Sequence, residues 1–327
     1  MKLKKEIAVF GCGYWGTIVI NSILKLKLFK KIYIYDPDYK KVSILKKRFK
    51  NILIYKNFKN IFKDKNIENI YLATHPDINF SVLKQCIKYN KNVLIEKPGL
   101  TNLRHFKVIK KLTKKNRTRI FFGYKYLYNS YIKYIKKIIK KKTLGNIKYI
   151  NFQRQNFGPI RDKTSSIYDL ATHDVSILHF LFNKSSILKK IVRHDILKKK
   201  NFDIAYLNLV INKIKIDINV SWLNPEKIRK IIIIGSKKML IFDEMNEKKP
   251  IQIYNNYVSF PKIDKFSRSY FKKTHYIFKG KSLIKKFNLK PALNEQIKIF
   301  LNNKKIITNI NFSENLQSFL VLSYFVQ

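Results

Sequence analysis

Acidic residues are scarce in this chain. Only 20 Asp and Glu stand against 69 Lys and Arg over 327 residues, a formal net charge of +49. Such an imbalance ordinarily points to nucleic acid or an anionic membrane surface. Here the lysines run the whole length, accompanied by abundant Ile, Asn, Tyr and Phe. A genome rich in A and T produces that joint bias. No tail or aromatic-interleaved stripe concentrates the charge, so no specific nucleic-acid partner is expected. The densest run, residues 133–142, carries Ile and Tyr at helical spacing and reads as an amphipathic helix with a lysine outer face. The two cysteines, Cys12 and Cys86, cannot build a disulfide framework or a four-ligand metal site, which fits a reducing cytoplasm and predicts no metal. Long apolar runs are absent too, and no membrane span is expected. The basic start followed by uncharged residues 7–24 imitates a signal peptide. Three glycines, Asn21 and Ser22 interrupt it and no small-residue cleavage site follows, so a cytoplasmic protein is expected.

Apolar residues are plentiful: 46% of the chain is hydrophobic and 14% aromatic. That excludes disorder, and the length suffices for two domains, each with its own core. No internal repeat, Pro/Gly/Ser linker or low-complexity tract separates them.

The chain is organised around Lys5-Glu6-Ile7-Ala8-Val9-Phe10-Gly11-Cys12-Gly13-Tyr14-Trp15-Gly16. An apolar strand leads into a glycine turn and then a helix with apolar residues at helical spacing. Gly11 permits the tight turn, Gly13 removes a side chain where a pyrophosphate would touch backbone, and Gly16 lets the helix pack on the sheet. The helix N-terminus offers unpaired N–H groups and the positive end of its dipole. Asp36 follows twenty positions past Gly16, at the end of a second strand, residues 32–35. There a carboxylate accepts hydrogen bonds from the adenosine ribose and repels a 2′-phosphate, favouring NAD over NADP; a plain strand-end Asp capping the turn at Pro37 suits the same position.

Strands and helices then alternate. Helices are expected at 40–49, around Ile61, at 80–89 and at 102–115, and strands at 52–55, 69–74, 92–96 and 119–123. The alternation predicts an α/β chain opening with a Rossmann-type doubly wound parallel sheet, domain 1–122. Beyond it, strands dominate: 147–154, 187–194, 204–212, 214–222, 229–234 and 239–242. Ile214, Ile216, Ile218 and Val220 alternate with polar residues, as in a sheet with one face covered. Helices at 130–142, 169–182, 292–302 and 313–325 complete an expected C-terminal α+β domain, 123–327, with a large, mostly antiparallel sheet.

Three further clusters carry chemistry. Ala73-Thr74-His75-Pro76 ends a parallel strand, where ligands bind in open α/β sheets, though an ordinary strand-to-helix turn reads the same. Glu96-Lys97-Pro98 ends the next strand; a lysine there can hold a hydroxyl or carbonyl oxygen, while in so lysine-rich a chain a surface lysine is equally ordinary. Asp169 and His173 are four apart and so share a helix face, where a carboxylate orienting an imidazole makes a general base; a polar helix start with a satisfied His reads alike. His179 falls on an apolar stretch as core or edge, and His105, His194 and His275 read as surface.

In this order, the glycine turn, Asp36, the Thr74-His75-Pro76 turn, Glu96-Lys97-Pro98 and Asp169 to Asp174 resemble the Gfo/Idh/MocA family of pyridine-nucleotide sugar and inositol dehydrogenases. Leu144-Gly145-Asn146-Ile147, Ser221-Trp222-Leu223-Asn224-Pro225 and Ile234-Gly235-Ser236 join the likeness. The resemblance implies NAD as cofactor, bound by Gly11, Gly13, Tyr14, Trp15, Gly16, Asp36, Thr74, His75, Pro76, Glu96 and Lys97. It implies Lys97, Asp169 and His173 as catalytic residues, with His173 accepting the proton and Lys97 polarising the reacting oxygen. Residues 154–161 are similar to the branch acting on nucleotide-linked sugars, which implies Asn156 and Arg161 at the substrate, Arg161 as a phosphate or carboxylate clamp. Asn79 stands where relatives often carry His, and Gly99 where they usually carry a bulkier residue. The expected activity is hydride transfer between NAD(H) and a secondary alcohol or ketone of a sugar or nucleotide-sugar, in a homodimer or homotetramer. The alternative is a non-catalytic NAD-binding sensor of the same fold.

Overall fold

Eleven elements alternate as the periodicity predicts: β1 (Lys5–Phe10), α1 (Tyr14–Leu26), β2 (Phe29–Tyr35), α2 (Tyr39–Arg48), β3 (Leu53–Ile54), α3 (Phe58–Lys63), β4 (Ile67–Leu72), α4 (Pro76–Lys88), β5 (Asn92–Glu96), α5 (Leu103–Lys114) and β6 (Ile120–Gly123). They come from a computed structural model, which describes residues 5–116, 118–160, 164–197, 202–259, 276–302, 314–316 and 318. The strands form one parallel sheet in the order β3-β2-β1-β4-β5-β6. The order reverses between β1 and β4, which opens a crevice at the carboxyl ends of those strands. Short polar side chains start the helices: Asp38 accepts from the Lys40 N–H, Asn57 from Lys59 and Asn102 from Arg104, at 3.1, 2.9 and 2.8 Å.

After a 3-10 turn, Lys125–Tyr128, come α6 (Ser130–Lys140), β7 (Ile147–Phe157), a π-helical turn (Ile167–Ala171) and α7 (Thr172–Phe182). The strands β8 (Ile187–His194), β9 (Ile204–Ile211), β10 (Ile214–Ser221), β11 (Leu223–Gly235), β12 (Met239–Asp243), β13 (Ile251–Tyr254), β14 (Tyr257–Ser259), β15 (Tyr276–Phe278) and β16 (Ser282–Lys285) follow, and α8 (Ala292–Asn302) after them. Eight strands form a sheet ordered β16-β13-β12-β11-β7-β10-β9-β8. Every neighbouring pair is antiparallel except β10 with β7. The fold is therefore α/β, a parallel Rossmann sheet followed by a large, mostly antiparallel one.

Three details depart from the expectation. The helix expected over 169–182 starts as a π turn: the Thr172 N–H reaches back to the Ile167 carbonyl, five residues away, so Asp169 lies in a wider turn than His173. β11 begins at Leu223 rather than at 229; its pairing with β7 skips from Leu223 to Ile228, so Pro225 sits in the bulge, where a missing N–H costs no ladder bond. β13 to β16 are too short to show a period. The helix expected over 313–325 falls outside the described residues except at 314–316 and 318, which are helical.

The contacts divide the chain into two compact units, one of residues up to Tyr128 with Lys290–Ser318, the other chiefly Asn129–Leu289. Leu293, Ile297 and Phe300 of α8 thus join Ile7, Val9, Val19, Ile20 and Tyr71 in the first core, although the chain reaches α8 only after the second sheet. In the second unit α6 packs on α7, and the π turn lies on β7 and β10.

Candidate active site

The glycine turn joins β1 to α1 across the head of the first sheet. Gly11 has φ +93°, which L side chains rarely adopt, and a Cβ there would lie 2.5 Å from the Ala73 carbonyl oxygen. A Cβ at Gly16 would fall 1.9 Å from the Gly11 carbonyl oxygen, so the helix starts hard against the turn. Gly13 differs: a Cβ there meets nothing within 4 Å. It is the N-cap of α1, with no side chain satisfying the helix N–H groups and no acidic residue in the first turn. Open space before bare amides and a positive dipole end fits a dinucleotide pyrophosphate.

Asp36 closes the turn from the side. Its Oδ2 accepts from the Cys12 N–H at 2.8 Å and its Oδ1 from the Asp38 N–H at 2.9 Å. These turn bonds are compatible with the ribose contact expected of Asp36, since each carboxylate oxygen keeps a lone pair for a further donor. Burial first, and then the Asp36 charge, push the Cys12 thiol up to about 12, against the pull of Lys41.

The next two strands contribute the turns expected of them. Ala73 donates to the Phe10 carbonyl at 2.8 Å. His75 is the N-cap of α4 with Pro76 following, and its Nδ1 lies 3.1 Å from an Asp77 carboxylate oxygen. Thr74 Oγ1 donates to Asn79 Oδ1 at 2.6 Å, and buried Asn79 passes the link to the Gly99 carbonyl at 2.8 Å. Asn79 therefore ties the β4 turn to the loop after β5. Gly99 has φ +77° and a Cβ on it would press 2.5 Å from the Phe122 ring, which accounts for glycine there.

Glu96 and Lys97 lie at the end of β5, both half-buried. Tyr71 donates its phenolic proton to Glu96 Oε1. Burial raises the Glu96 carboxyl, while Tyr71, the Trp15 indole, Lys97 and Lys125 pull it down. Burial and then the Glu96 charge hold the Tyr71 phenol well above its ordinary value. The Lys125 ammonium stands 4.9 Å from the Trp15 ring centroid. Trp15, Tyr71, Glu96 and Lys125 thus form one aromatic and charged cluster across α1, β4, β5 and the turn after β6. A Cβ on Gly123 would lie 2.9 Å from Gln296 Nε2 and 3.3 Å from Glu96 Oε1, so α8 reaches the same cluster.

In the second unit, Asp169 Oδ2 accepts from the Trp222 indole at 3.3 Å. His173 lies in the first turn of α7, half-buried. Its neighbour Asp174 is buried and takes both Nε and Nη2 of buried Arg154 on Oδ1, each at 2.8 Å. Asn156 donates to the Gly158 carbonyl and accepts from Arg229 Nη2. Arg229 also gives Nη1 to the carbonyls of Gln155 and Ile228 at 2.7 Å, so Asn156 belongs to a knot that shapes the end of β7. Arg161 lies outside the described residues, as does His275. His179 is core, its Nε2 accepting from the Ser186 N–H at 3.1 Å. Among the described residues no group of three or more His, Cys, Asp or Glu could hold a metal, and no helix is long and apolar enough to cross a membrane.

Sequence reasoning gives no role to Trp222, Arg154, Asp174, Tyr71, Lys125 or Gln296. One signal was available: the chain has two tryptophans, and both serve these clusters.

A parallel sheet with this turn at its switch point defines a dinucleotide-binding protein. Residues 5–124 match the model of the oxidoreductase family with an NAD-binding Rossmann fold, GFO_IDH_MocA. Its cofactor is NAD. Among solved structures, the UDP-N-acetylglucosamine 3-dehydrogenase of Acidithiobacillus ferrooxidans superposes with a TM-score of 0.78 at 13% identity, covering 98% of this chain and 97% of that one. A 3-ketoreductase from Actinomadura kijaniata, solved with TDP-benzene and NADP, gives 0.77 at 9% identity over 98% and 97%. An oxidoreductase from Agrobacterium radiobacter, solved with NAD+, L-tartaric acid and magnesium, gives 0.76 at 14% over 98% and 96%. At such identities the likeness is one of fold. No curated protein sequence matches the chain.

Proposed function

We propose that this protein oxidises a secondary alcohol of a sugar or nucleotide-sugar to a ketone, or reduces the ketone, with NAD(H). The observation that carries the proposal is the Asp169–Trp222 bond four residues before His173, together with Lys97 placed directly after half-buried Glu96 at a strand end of the NAD-binding unit. The Asp169–Trp222 bond, in the second unit, is not needed for dinucleotide binding alone. NAD, when bound, supplies or accepts the hydride. His173 takes the hydroxyl proton or returns it, a contribution of roughly a hundred- to ten-thousand-fold for positioned proton transfer. Asp169, fixed by Trp222, orients the imidazole. Lys97 stabilises the charge developing on the reacting oxygen. Asn156 and Arg161 contact the nucleotide end of the substrate.

Residues 1–122 serve as the NAD-binding domain and 123–327 as the substrate-binding and oligomerisation domain. Ile187, Val192 and Tyr206, exposed on β8 and β9, support self-association as a homodimer or homotetramer. The protein works in the cytoplasm. The test is the near-ultraviolet absorbance of NADH, followed with a panel of nucleotide-sugars, hexoses and inositols. Turnover that His173→Asn and Lys97→Met each abolish, with NAD binding retained, is expected. NAD binding without turnover on any member overturns the proposal and leaves a sensor of the same fold.

A further inference from the structure

The π turn that carries Asp169 is held from outside at three points. At its start, Ser166 donates both its N–H and its hydroxyl to the Phe202 carbonyl, at 3.1 and 2.7 Å. In its middle, the Trp222 indole holds Asp169. Just past its end, Arg154 holds Asp174 through two bonds to one carboxylate oxygen. A single π turn is a rare local winding, so anchors from outside it help decide where its side chains lie.

The last two anchors come from one end of the second sheet, Arg154 on β7 and Trp222 in the bend just past β10. Arg154 on β7 stands in register with Val220 on the parallel neighbour β10, and Trp222 follows two residues later along the same strand direction. The sheet therefore grips the chain at Asp169 and at Asp174, and His173 lies between the two grips. The Arg154–Asp174 pair is almost wholly buried, at 4% and 1% exposure. Arg229 and Glu244 are the other charged groups facing Asp174, and Arg229 is itself committed to Gln155, Ile228 and Asn156.

Resting on the assignment of His173 as proton acceptor, we propose that Arg154 is a positioning residue for catalysis: acting through Asp174, it fixes the height and rotation of the His173 imidazole. A buried ion pair contributes little net stability against apolar groups of equal volume, because desolvation offsets the attraction, whereas it specifies one geometry. Arg154 suits that role over Lys, since only a guanidinium places two donors on one oxygen in a fixed plane.

The test uses the full chain in three forms, unaltered, Arg154→Lys and the double variant Arg154→Met with Asp174→Leu, the last leaving no buried charge uncompensated. The six histidines are labelled with 15N and the His173 signals assigned by their loss in His173→Asn. In both variants the His173 ring signals are expected to move and its titration midpoint to shift by about half a pH unit or more, with the His179 signals in place. With whichever panel substrate turns over, kcat falls about 10- to 100-fold, as for a misplaced catalytic group, while the KM for NAD stays within about twofold. Adding Arg154→Lys to His173→Asn costs nothing further. Unchanged His173 signals in folded variants overturn the proposal, and so does a kcat loss fully additive with that of His173→Asn. The absence of any turnover would instead overturn the enzyme assignment while leaving the His173 signals to decide the positioning.

Discussion

Tyr71 gives its phenolic hydrogen bond to the Glu96 carboxyl, linking the strand beside the glycine turn to the strand that ends at Glu96, just before Lys97. Both groups are raised by burial, so each relies on the other in a water-poor place. Tyr71→Phe removes the donor and leaves the carboxyl buried, at an expected cost of about 1–3 kcal/mol by urea unfolding. The sign of its pH dependence follows. A carboxyl raised in the folded state is harmless while protonated and lowers stability as pH rises through its folded value. Without Tyr71 the Glu96 value climbs further. The loss in Tyr71→Phe is therefore larger at neutral than at mildly acid pH; equal losses at both would show that Glu96 does not ionise in the folded protein.

Gly13 and Gly16 look alike in the sequence and differ in space. Gly13→Ala meets nothing, has φ −74°, and replaces glycine at an N-cap, a change worth at most about 1 kcal/mol. Its methyl enters the space before the α1 amides, so NAD affinity falls by about tenfold or more with the melting temperature little altered. Gly16→Ala drives a methyl into the Gly11 carbonyl and costs both. Calorimetric titration beside thermal unfolding separates the two; a Gly13→Ala protein that binds NAD normally removes the pyrophosphate from that spot.

What the sequence made legible is whatever a local pattern dictates. Glycines with forced backbone geometry, Asp36 at a strand end and the switch from alternating helices to successive strands were all readable, because period and turn chemistry act within a few residues. Contacts bridging long stretches of chain were not. Trp222 reaches Asp169 across 53 positions, and Arg154 on β7 reaches Asp174 on α7 across 20. The period of α8 gave its helix but not its core, since an apolar stripe does not say which sheet it covers. The π turn was hidden for a related reason: Asp169 and His173 keep the i, i+4 spacing, and only tertiary anchors select the wider winding.

His179 reports on the second core through pH. Burial pushes its imidazole down from 6.5 to about 4. The folded state therefore prefers the neutral ring, and the unfolded chain takes up a proton first as pH falls. Stability is full above about 6.5 and declines between there and about 4, by up to about 3 kcal/mol for this residue. His179→Gln keeps an acceptor for the Ser186 N–H and cannot titrate. The difference between its unfolding free energy and that of the unaltered protein is expected to narrow steadily from pH 6.5 to pH 4. A constant difference would mean that the ring is already protonated, or exposed, in the native state.

Asp36 holds its turn through two hydrogen bonds, and one substitution tests the ribose contact expected of it as well. Asn at that position offers a single accepting oxygen, so it can serve the Cys12 N–H or the Asp38 N–H but not both. The orphaned amide costs about 1 kcal/mol of stability, small because the turn is half-exposed to water. The lost charge matters more for the cofactor. A carboxylate facing the ribose repels a 2′-phosphate, and an amide does not. Titrating intrinsic fluorescence with NADH and with NADPH is expected to show the unaltered protein favouring NADH, and Asp36→Asn reducing that preference by about tenfold, a difference of roughly 1.4 kcal/mol. Equal affinities for the two cofactors in the unaltered chain would leave Asp36 with its turn-holding duty alone.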